Sequence, residues 1–356
     1  MQNRKPMPRI STRMILQAFQ YDHLLPLLLS ECRTIDSAKN ELRWLRERAL
    51  SACRPVTPSR KNATSIRTPG LKRLLKSMCL ARSRGMPLQY ILGDQPFGDL
   101  SIKCTKGVLI PRHETEAITF RAANLILNSA AFTHKHEDPL RIIDLCTGSG
   151  CIPLLLHTLL SPHVPHLSIV GIDISAAAIA LAEENVRRNV SLRLLSQRAL
   201  AEIDFQHGNV LEYGHGGFPT TSDSPIPVPR CDVLISNPPY VSPREYHDGT
   251  TSRSARMFEP KNALVPPDNS ESSIVGFKHV RQEDIFYYHT TALVSRLQVG
   301  LVILECGSHS QALRVAALYQ DAMVQNQCVR QVQLDIWSVD DRDPGPCAVI
   351  IHNNVF

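Results

Sequence analysis

The fold is decided by the stretch RIIDLCTGSG, which occupies residues 141–150. Its first five residues form an apolar strand pattern and lead directly into a turn that contains Gly148 and Gly150. An apolar run at residues 152–156 follows and predicts a helix. A strand, a glycine turn and a helix in this order are typical of the ligand-binding edge of a parallel sheet.

The segments that follow repeat this alternation of strand and helix. Ser175 is placed to cap a helix over residues 176–189. Further strands are predicted at residues 169–173, 204–209, 232–236, 301–305, 332–339 and 347–351. Apolar strands that alternate with helices predict an α/β fold, in which helices cover both faces of a mostly parallel sheet.

The first third of the chain has a different pattern. Residues 8–53 predict helices, and Leu42, Leu45 and Ala49 recur there at helical spacing. Residues 54–70 predict a polar loop, and a helix restarts at Leu71.

The domain boundaries follow from these patterns. We predict a helical N-terminal domain at 1–94, a connecting β-hairpin at 95–114 and a third domain at 115–356. The hairpin is expected over residues 100–110, around the turn at Thr105-Lys106-Gly107. Two irregular insertions are predicted at 214–230 and 242–256.

Composition excludes several classes of protein. The chain has 356 residues, 43% of them hydrophobic and 20% charged, which excludes a collagen, a coiled coil and a wholly disordered protein. Its ten cysteines form no CxxC pair, so neither a disulfide framework nor a zinc site is expected. No apolar run reaches the about 18 residues that span a bilayer, so no membrane segment is expected either.

Charge is distributed unevenly along the chain. The net charge is +6, yet residues 1–90 carry 18 basic and 5 acidic residues. This bias suggests a targeting segment, an RNA-bound partner or a solvated basic surface. Residues 1–20 contain four basic residues and no acid, which fits a mitochondrial presequence, although they could equally open a domain helix in a cytoplasmic protein.

The glycine turn is followed by a carboxylate at the end of the next predicted strand. Asp173 lies 23 residues after Gly150, at the tip of the next predicted strand. A carboxylate there can accept hydrogen bonds from both hydroxyls of a ribose. The ligand could be any adenosine cofactor, unless the turn binds none. The turn is not a P-loop, because no Gly-Lys-Ser/Thr follows, and it departs from the dinucleotide pattern, because Cys146 replaces the first glycine.

A second motif follows the strand at residues 232–236. It is Asn237-Pro238-Pro239-Tyr240. The Asn237 side-chain oxygen and the Pro238 carbonyl can both accept hydrogen bonds from one planar –NH₂ group, and the Tyr240 ring offers a face for stacking. The alternative is a rigid loop after a buried strand.

These motifs resemble those of class I S-adenosylmethionine-dependent amino-methyltransferases. More narrowly, the chain is similar to the peptide chain release factor glutamine methyltransferases, the HemK/PrmC family. That similarity extends to PLQYILG at 87–93, VLIPRHETE at 108–116, FEP at 258–260 and NALV at 262–265. The resemblance implies a Rossmann-like, mostly parallel seven-stranded sheet, and it implies that the helical domain at 1–94 recognises the substrate.

The resemblance also implies roles for residues. Catalysis would fall to Asn237, Pro238, Pro239 and Tyr240. Binding of S-adenosyl-L-methionine would fall to Asp144, Cys146, Thr147, Gly148, Ser149, Gly150, Asp173, Asn209, Val210 and Asn237. Glu114 and Glu116 would help to close the pocket, or would simply begin a helix.

The activity implied is N5-methylation of the glutamine in the Gly-Gly-Gln motif of a mitochondrial release factor, a protein of translation termination. Two other functions stay open. One is methylation of adenine N6 or guanine N2 in DNA or RNA, which the basic first 90 residues would support through phosphate contacts. The other is a non-catalytic adaptor that binds a release factor.

Overall fold

The computed structural model describes residues 9–53, 68–133, 138–212, 231–268, 280–297, 299–325, 332–339 and 345–353. The helices are α1 (Thr12–Tyr21), α2 (Leu25–Cys32), α3 (Ile35–Ala52), α4 (Thr68–Ser83), α5 (Leu88–Leu92), α6 (His113–Leu127), α7 (Ala130–Thr133), α8 (Cys151–Leu160), α9 (Ala176–Ser191), α10 (Ala199–Glu202), α11 (Pro243–Asp248), α12 (Arg253–Phe258), α13 (Ile285–Leu297) and α14 (His309–Gln325). The strands are β1 (Asp94–Phe97), β2 (Leu100–Lys103), β3 (Leu140–Leu145), β4 (Leu167–Asp173), β5 (Ile203–His207), β6 (Val233–Ser236), β7 (Leu301–Cys306), β8 (Val332–Ser338) and β9 (Cys347–Asn353).

Two units are distinguished by their internal contacts. The first comprises Met1–Asp94 together with Asp248–Glu259, and the second comprises Gln95–His247 together with Pro260–Phe356. No helix among the described residues is long and apolar enough to cross a membrane.

The first unit is helical, as the sequence predicts. Side chains of Ser11 and Thr34 cap α1 and α3 by accepting from backbone amides one turn later, at 3.2 Å each. The predicted stripe Leu42, Leu45 and Ala49 is buried in its core. Of the polar loop predicted at 54–70, residues 54–67 lie outside the described residues.

The segment Asp248–Glu259 belongs to this helical unit although it is remote from it in sequence. The Ser254 hydroxyl donates to the Gly85 carbonyl at 2.6 Å, and Arg253 lies 3.6 Å from Glu31. The prediction of an irregular insertion at 242–256 is wrong, because α11 and α12 form there, with Ser252 capping α12. The other predicted insertion, 214–230, lies outside the described residues.

The hairpin forms earlier in the chain than predicted. Its strands are β1 and β2, and its turn contains Gly98, whose φ of +56° favours glycine. The alternation at residues 100–104 correctly marks a strand, but its partner precedes it. Residues 108–110 are not a strand and instead line a cavity.

The second unit is built on a seven-stranded sheet of order β5-β4-β3-β6-β7-β9-β8. The first five strands in this order run parallel, and β9 pairs antiparallel with both β7 and β8. This is the mostly parallel seven-stranded sheet that the sequence predicts. The strand predicted at 204–209 is present as β5 (Ile203–His207).

Helices cover both faces of this sheet, which explains the apolar strands. Ile142 packs into a core with α6, α8 and α9, whereas its neighbour Ile143 packs into a second core with α13 and α14. All six residues of β7 are buried. From β3 the chain continues to β4 and β5 on one side of the sheet, and from β6 it continues to β7 on the other side. Ligands of such sheets bind at the carboxyl ends of the two neighbouring strands where the direction changes, here β3 and β6.

Candidate functional site

A cavity of about 790 Å³ lies at the carboxyl ends of β3, β4, β5 and β6. Nine of the residues proposed from the sequence line it: Cys146, Thr147, Gly148, Ser149, Asp173, Asn209, Val210, Asn237 and Pro239. The sheet therefore brings the glycine turn and the first residue of the Asn-Pro-Pro-Tyr motif to one cavity, although they are far apart in sequence. Four others, Asp144, Gly150, Pro238 and Tyr240, do not line its wall.

The glycine turn follows β3 and needs its glycines. Gly150 has a φ of +76°, and a side chain there would place its Cβ 2.9 Å from the Cβ of Ala182 on α9. Gly148 has a φ of +56° and faces open space, where a Cβ would have no neighbour closer than 4.0 Å. A bound group can therefore approach the backbone at Gly148 closely.

Asp173 ends β4 and faces the cavity with a fixed carboxylate. Its Oδ2 accepts from the Gly148 amide and its Oδ1 accepts from the Ser175 amide, both at 2.9 Å. Burial raises the pKa of Asp173, while these backbone amides oppose the rise. Each oxygen keeps a lone pair for a further donor, so the carboxylate can receive the two hydroxyls of a ribose.

Asp144 has a different environment beneath the turn. Its side chain is fully buried in β3. Burial raises the pKa of Asp144 to about 8, although a hydrogen bond with the Thr147 side chain lowers it, and the nearby Asp173 carboxylate adds to the rise. Asp144 is not among the residues that line the cavity.

The wall beside Asp173 suits a flat base. Ile174 lines the cavity and is 55% exposed, and the buried Val210 lies across from the turn in the same wall. Asn209 also lines the wall, but its Nδ2 donates to Glu212 at 2.9 Å and its Oδ1 accepts from the Leu211 amide at 3.1 Å. The Asn209 side chain is thus engaged within its own loop. A carboxylate with acceptor capacity to spare, an apolar wall and an open glycine turn together fit an adenosine cofactor.

Asn237 is oriented by a residue that the sequence did not single out. Its Nδ2 donates to the hydroxyl of Thr115 at 2.9 Å, and Thr115 is buried in the first turn of α6. This bond leaves Asn237 Oδ1 as the acceptor for a group in the cavity. Thr115 lines the cavity, whereas its neighbours Glu114 and Glu116, which were expected to close the pocket, do not.

Tyr240 anchors the loop and offers the cavity no stacking face. Its hydroxyl donates to Glu305 Oε1 at 3.3 Å, and its ring packs so closely on Gly307 that a Cβ there would lie 2.8 Å from the ring. Burial raises the pKa of Tyr240 well above its usual value, and Glu305 adds to the rise. Burial also raises the pKa of Glu305 to about 7.

Gln311 on α14 completes the anchor. Its Oε1 accepts from the Gly307 amide at 2.9 Å, and its Nε2 donates to the Tyr240 carbonyl at 3.3 Å and to Asp284 at 3.0 Å. Arg314 donates hydrogen bonds to both carboxylate oxygens of Asp284, from Nε at 2.6 Å and from Nη2 at 3.0 Å. Side chains from two helical segments therefore fix the end of the Asn-Pro-Pro-Tyr motif.

Another set of polar residues also lines the cavity. They come from α11 and from the chain that follows α12: Tyr246, His247, Lys261, Asn262 and Asp268. The Val241 amide donates to the Leu264 carbonyl at 2.9 Å, which joins the chain after α12 to the residue that follows the Asn-Pro-Pro-Tyr motif. Among the described residues, no group of three or more His, Cys, Asp or Glu could hold a metal ion.

Comparison with known proteins gives clear relatives. The chain is 34% identical over 281 residues to the mitochondrial MRF1 N(5)-glutamine methyltransferase MTQ1 of Saccharomyces cerevisiae, covering 79% of this chain and 76% of that protein. It is 33% identical to the probable MRF1 mitochondrial N(5)-glutamine methyltransferase of Schizosaccharomyces pombe, over 71% of this chain and 74% of that protein. The release factor glutamine methyltransferase of Haemophilus influenzae is 29% identical over 67% of this chain and 70% of its own length.

Other comparisons add little. No protein-family model matches the chain. Among solved structures, the N-terminal domain of human METTL16 in complex with SAH is similar at 15% identity and a TM-score of 0.43, covering 88% of this chain and 94% of that one. A ribosomal protein L11 methylase from Lactobacillus delbrueckii subsp. bulgaricus matches at 16% identity and a TM-score of 0.34, over 69% and 81% of the two chains. Likeness at this level carries no further argument.

Proposed function

Because this chain belongs to the release factor glutamine methyltransferase family, we propose that it methylates the side-chain amide of a glutamine in a peptide chain release factor, with S-adenosylmethionine as methyl donor. The acceptor is the glutamine of the Gly-Gly-Gln motif, and the product carries one methyl group on N5. The observation that supports this most directly is that Asp173 and Asn237 line the same cavity. A cofactor held at Asp173 and an amide held at Asn237 therefore share one space.

The residues of the cofactor end fit the donor. Asp173 would hold the ribose hydroxyls, Ile174 and Val210 would flank the base, and the turn at 146–149 would hold the remaining part of the molecule. When bound, the cofactor supplies an electrophilic methyl group on a positively charged sulfur.

Asn237 acts on the acceptor. An amide nitrogen is a poor nucleophile because its lone pair is delocalised into the carbonyl. Asn237 Oδ1 accepts one N–H of the substrate and thereby orients the nitrogen, and this bond strengthens as the nitrogen becomes positive in the transition state. Alignment at about 3–3.5 Å from the methyl carbon is the main contribution of the site. The nitrogen would form a bond to the methyl carbon while the bond from that carbon to sulfur breaks, so S-adenosylmethionine would leave as S-adenosylhomocysteine, and the proton lost from the nitrogen would pass to water. The Pro238 carbonyl as a second acceptor stays a prediction, since Pro238 does not line the cavity wall.

The partner and the compartment follow from the same family. We propose a mitochondrial release factor as the substrate and the mitochondrion as the location. Both proposals are in keeping with the two yeast relatives, which are named as mitochondrial methyltransferases. The helical unit at residues 1–94 would recognise the release factor outside its Gly-Gly-Gln loop. Methylation of a nucleic acid base is not favoured, because the relatives are named for release factors.

Mass spectrometry of the acceptor tests the proposal. The chain is incubated with a release factor and S-adenosylmethionine, and the peptide that contains Gly-Gly-Gln is sequenced by fragmentation. We expect a mass gain of one methyl group on the glutamine, and none in a release factor whose glutamine is replaced by asparagine. Methyl transfer to DNA or RNA with none to the release factor would contradict the proposal.

A further inference from the structure

Helix α9 carries two fully buried asparagines, Asn185 and Asn189, one turn apart. The rest of its buried surface is almost entirely apolar, with Leu181, Ala182 and Val186 as examples. Burying an amide side chain is unfavourable unless its donors and acceptor are satisfied. The partners of these two side chains therefore indicate why they are present.

Both asparagines bind one edge of strand β2. Asn189 Oδ1 accepts from the Ser101 amide at 2.9 Å, and its Nδ2 donates to the Ser101 carbonyl at 3.1 Å. Asn185 repeats this arrangement two residues along the strand, with the Lys103 amide at 2.7 Å and the Lys103 carbonyl at 3.4 Å. The backbone groups of alternate strand residues point to the same edge, so the two side chains take the place of a neighbouring strand.

The two asparagines differ in one contact. Nδ2 of Asn185 also donates to the Ser149 carbonyl at 2.9 Å, and Ser149 lies in the glycine turn that lines the cavity. Nδ2 of Asn189 instead donates to the Asn185 carbonyl within the same helix, at 2.8 Å. A single buried amide thus joins β2 to the turn at the cofactor end of the site.

We propose that Asn185 is a positioning residue for the cofactor, which fixes the Ser149 carbonyl and so holds the turn at residues 146–150 in its binding conformation. The same side chain makes this conformation depend on the docking of β2 against α9. The inference rests on the cofactor end of the proposed function and is independent of the identity of the methyl acceptor.

Asn185→Asp tests the inference, with Asn189→Asp as the matched control. Each change keeps the size of a fully buried side chain and its acceptor for the strand amide. Each also replaces an NH₂ group that donates to two carbonyls by a carboxyl group that has at most one proton to donate. Only the change at 185 frees a carbonyl of the turn. Calorimetric titration with S-adenosylhomocysteine, without any acceptor, gives the dissociation constant, and thermal melting gives the stability of each variant.

We expect cofactor affinity to fall about fivefold to tenfold in Asn185→Asp, the effect of one hydrogen bond on an equilibrium constant, and less than about twofold in Asn189→Asp. Both variants should melt at lower temperature than the wild type. If an aspartate prevents folding, the alanine pair Asn185→Ala and Asn189→Ala is compared in the same way.

The inference would be overturned if both variants of the pair lost affinity for S-adenosylhomocysteine equally, or if the Asn185 variant lost none. The proposed function would still stand in either case, provided that the wild type binds S-adenosylhomocysteine. Failure of the wild type to bind S-adenosylhomocysteine would instead overturn the proposed function, and the inference with it.

Discussion

Replacing Thr115 by valine should separate the orientation of Asn237 from cofactor binding. Valine has nearly the shape of threonine but lacks the hydroxyl that accepts from Asn237 Nδ2 at 2.9 Å. Thr115 is only 3% exposed, so water has little access to replace the lost acceptor. Leaving a buried donor unsatisfied costs about 1–3 kcal/mol, and the side-chain amide of Asn237 can then rotate away from its catalytic orientation.

If this cost falls on the transition state, the turnover number drops about tenfold to hundredfold. The KM for S-adenosylmethionine should change little, because Asp173 and the glycine turn are untouched. Turnover is measured as methyl transfer to a release factor at saturating cofactor, with the dissociation constant of S-adenosylhomocysteine measured separately.

Thr115→Ser is the control, since serine restores the hydroxyl but not the methyl group. It should recover most of the activity that valine loses. A Thr115→Val enzyme with wild-type turnover, or a serine variant as impaired as the valine variant, would refute the role assigned to this hydrogen bond.

Two further predictions follow from the site. Asn237→Ala should abolish methyl transfer but leave the affinity for S-adenosylhomocysteine near that of the wild type, whereas Asp173→Ala should weaken that affinity first. Calorimetry and turnover measurements on both variants check this prediction. Similar losses of affinity in the two variants would contradict it. Burial raises the pKa of Asp144 to about 8 from its usual 3.8, so the folded protein binds a proton that the unfolded chain has already released. The stability that this group contributes is therefore fully present below about pH 4 and is lost as pH rises through about 8. In cofactor-free protein, the melting temperature of Asp144→Asn relative to wild type should rise between pH 5 and pH 8, and a constant difference would show that Asp144 does not titrate in this way.

The sequence predicted the sheet well because its signal is local. Each parallel strand is buried on both faces, so it is apolar along its whole length, as in β7. The cap of α9 at Ser175 and the positive φ of Gly148 and Gly150 also depend on residues close in sequence. These features placed the glycine turn and Asp173 at the ends of strands that border the cavity.

The hairpin and the segment after the Asn-Pro-Pro-Tyr motif were predicted less well. Alternation at residues 100–104 predicts a strand but does not indicate which segment pairs with it. The backbone amides on the edge of β2 that faces α9 donate to Asn185 and Asn189 instead of to another strand. Helices α11 and α12 have six residues each, too short for a periodic pattern to stand out. In α12, the contact of Ser254 with the Gly85 carbonyl spans 169 positions of sequence.

The amino-acid order alone determined the class of fold and the positions of the glycine turn and of the Asn-Pro-Pro-Tyr motif, because neighbouring residues suffice to specify strands, caps and turns. Only the tertiary structure decided that Thr115 orients Asn237 across 122 positions and that Tyr240 turns toward Glu305 and away from the cavity. Such contacts depend on how strands and helices order themselves in space, and hydrogen bonds between buried side chains form only after that packing has excluded water.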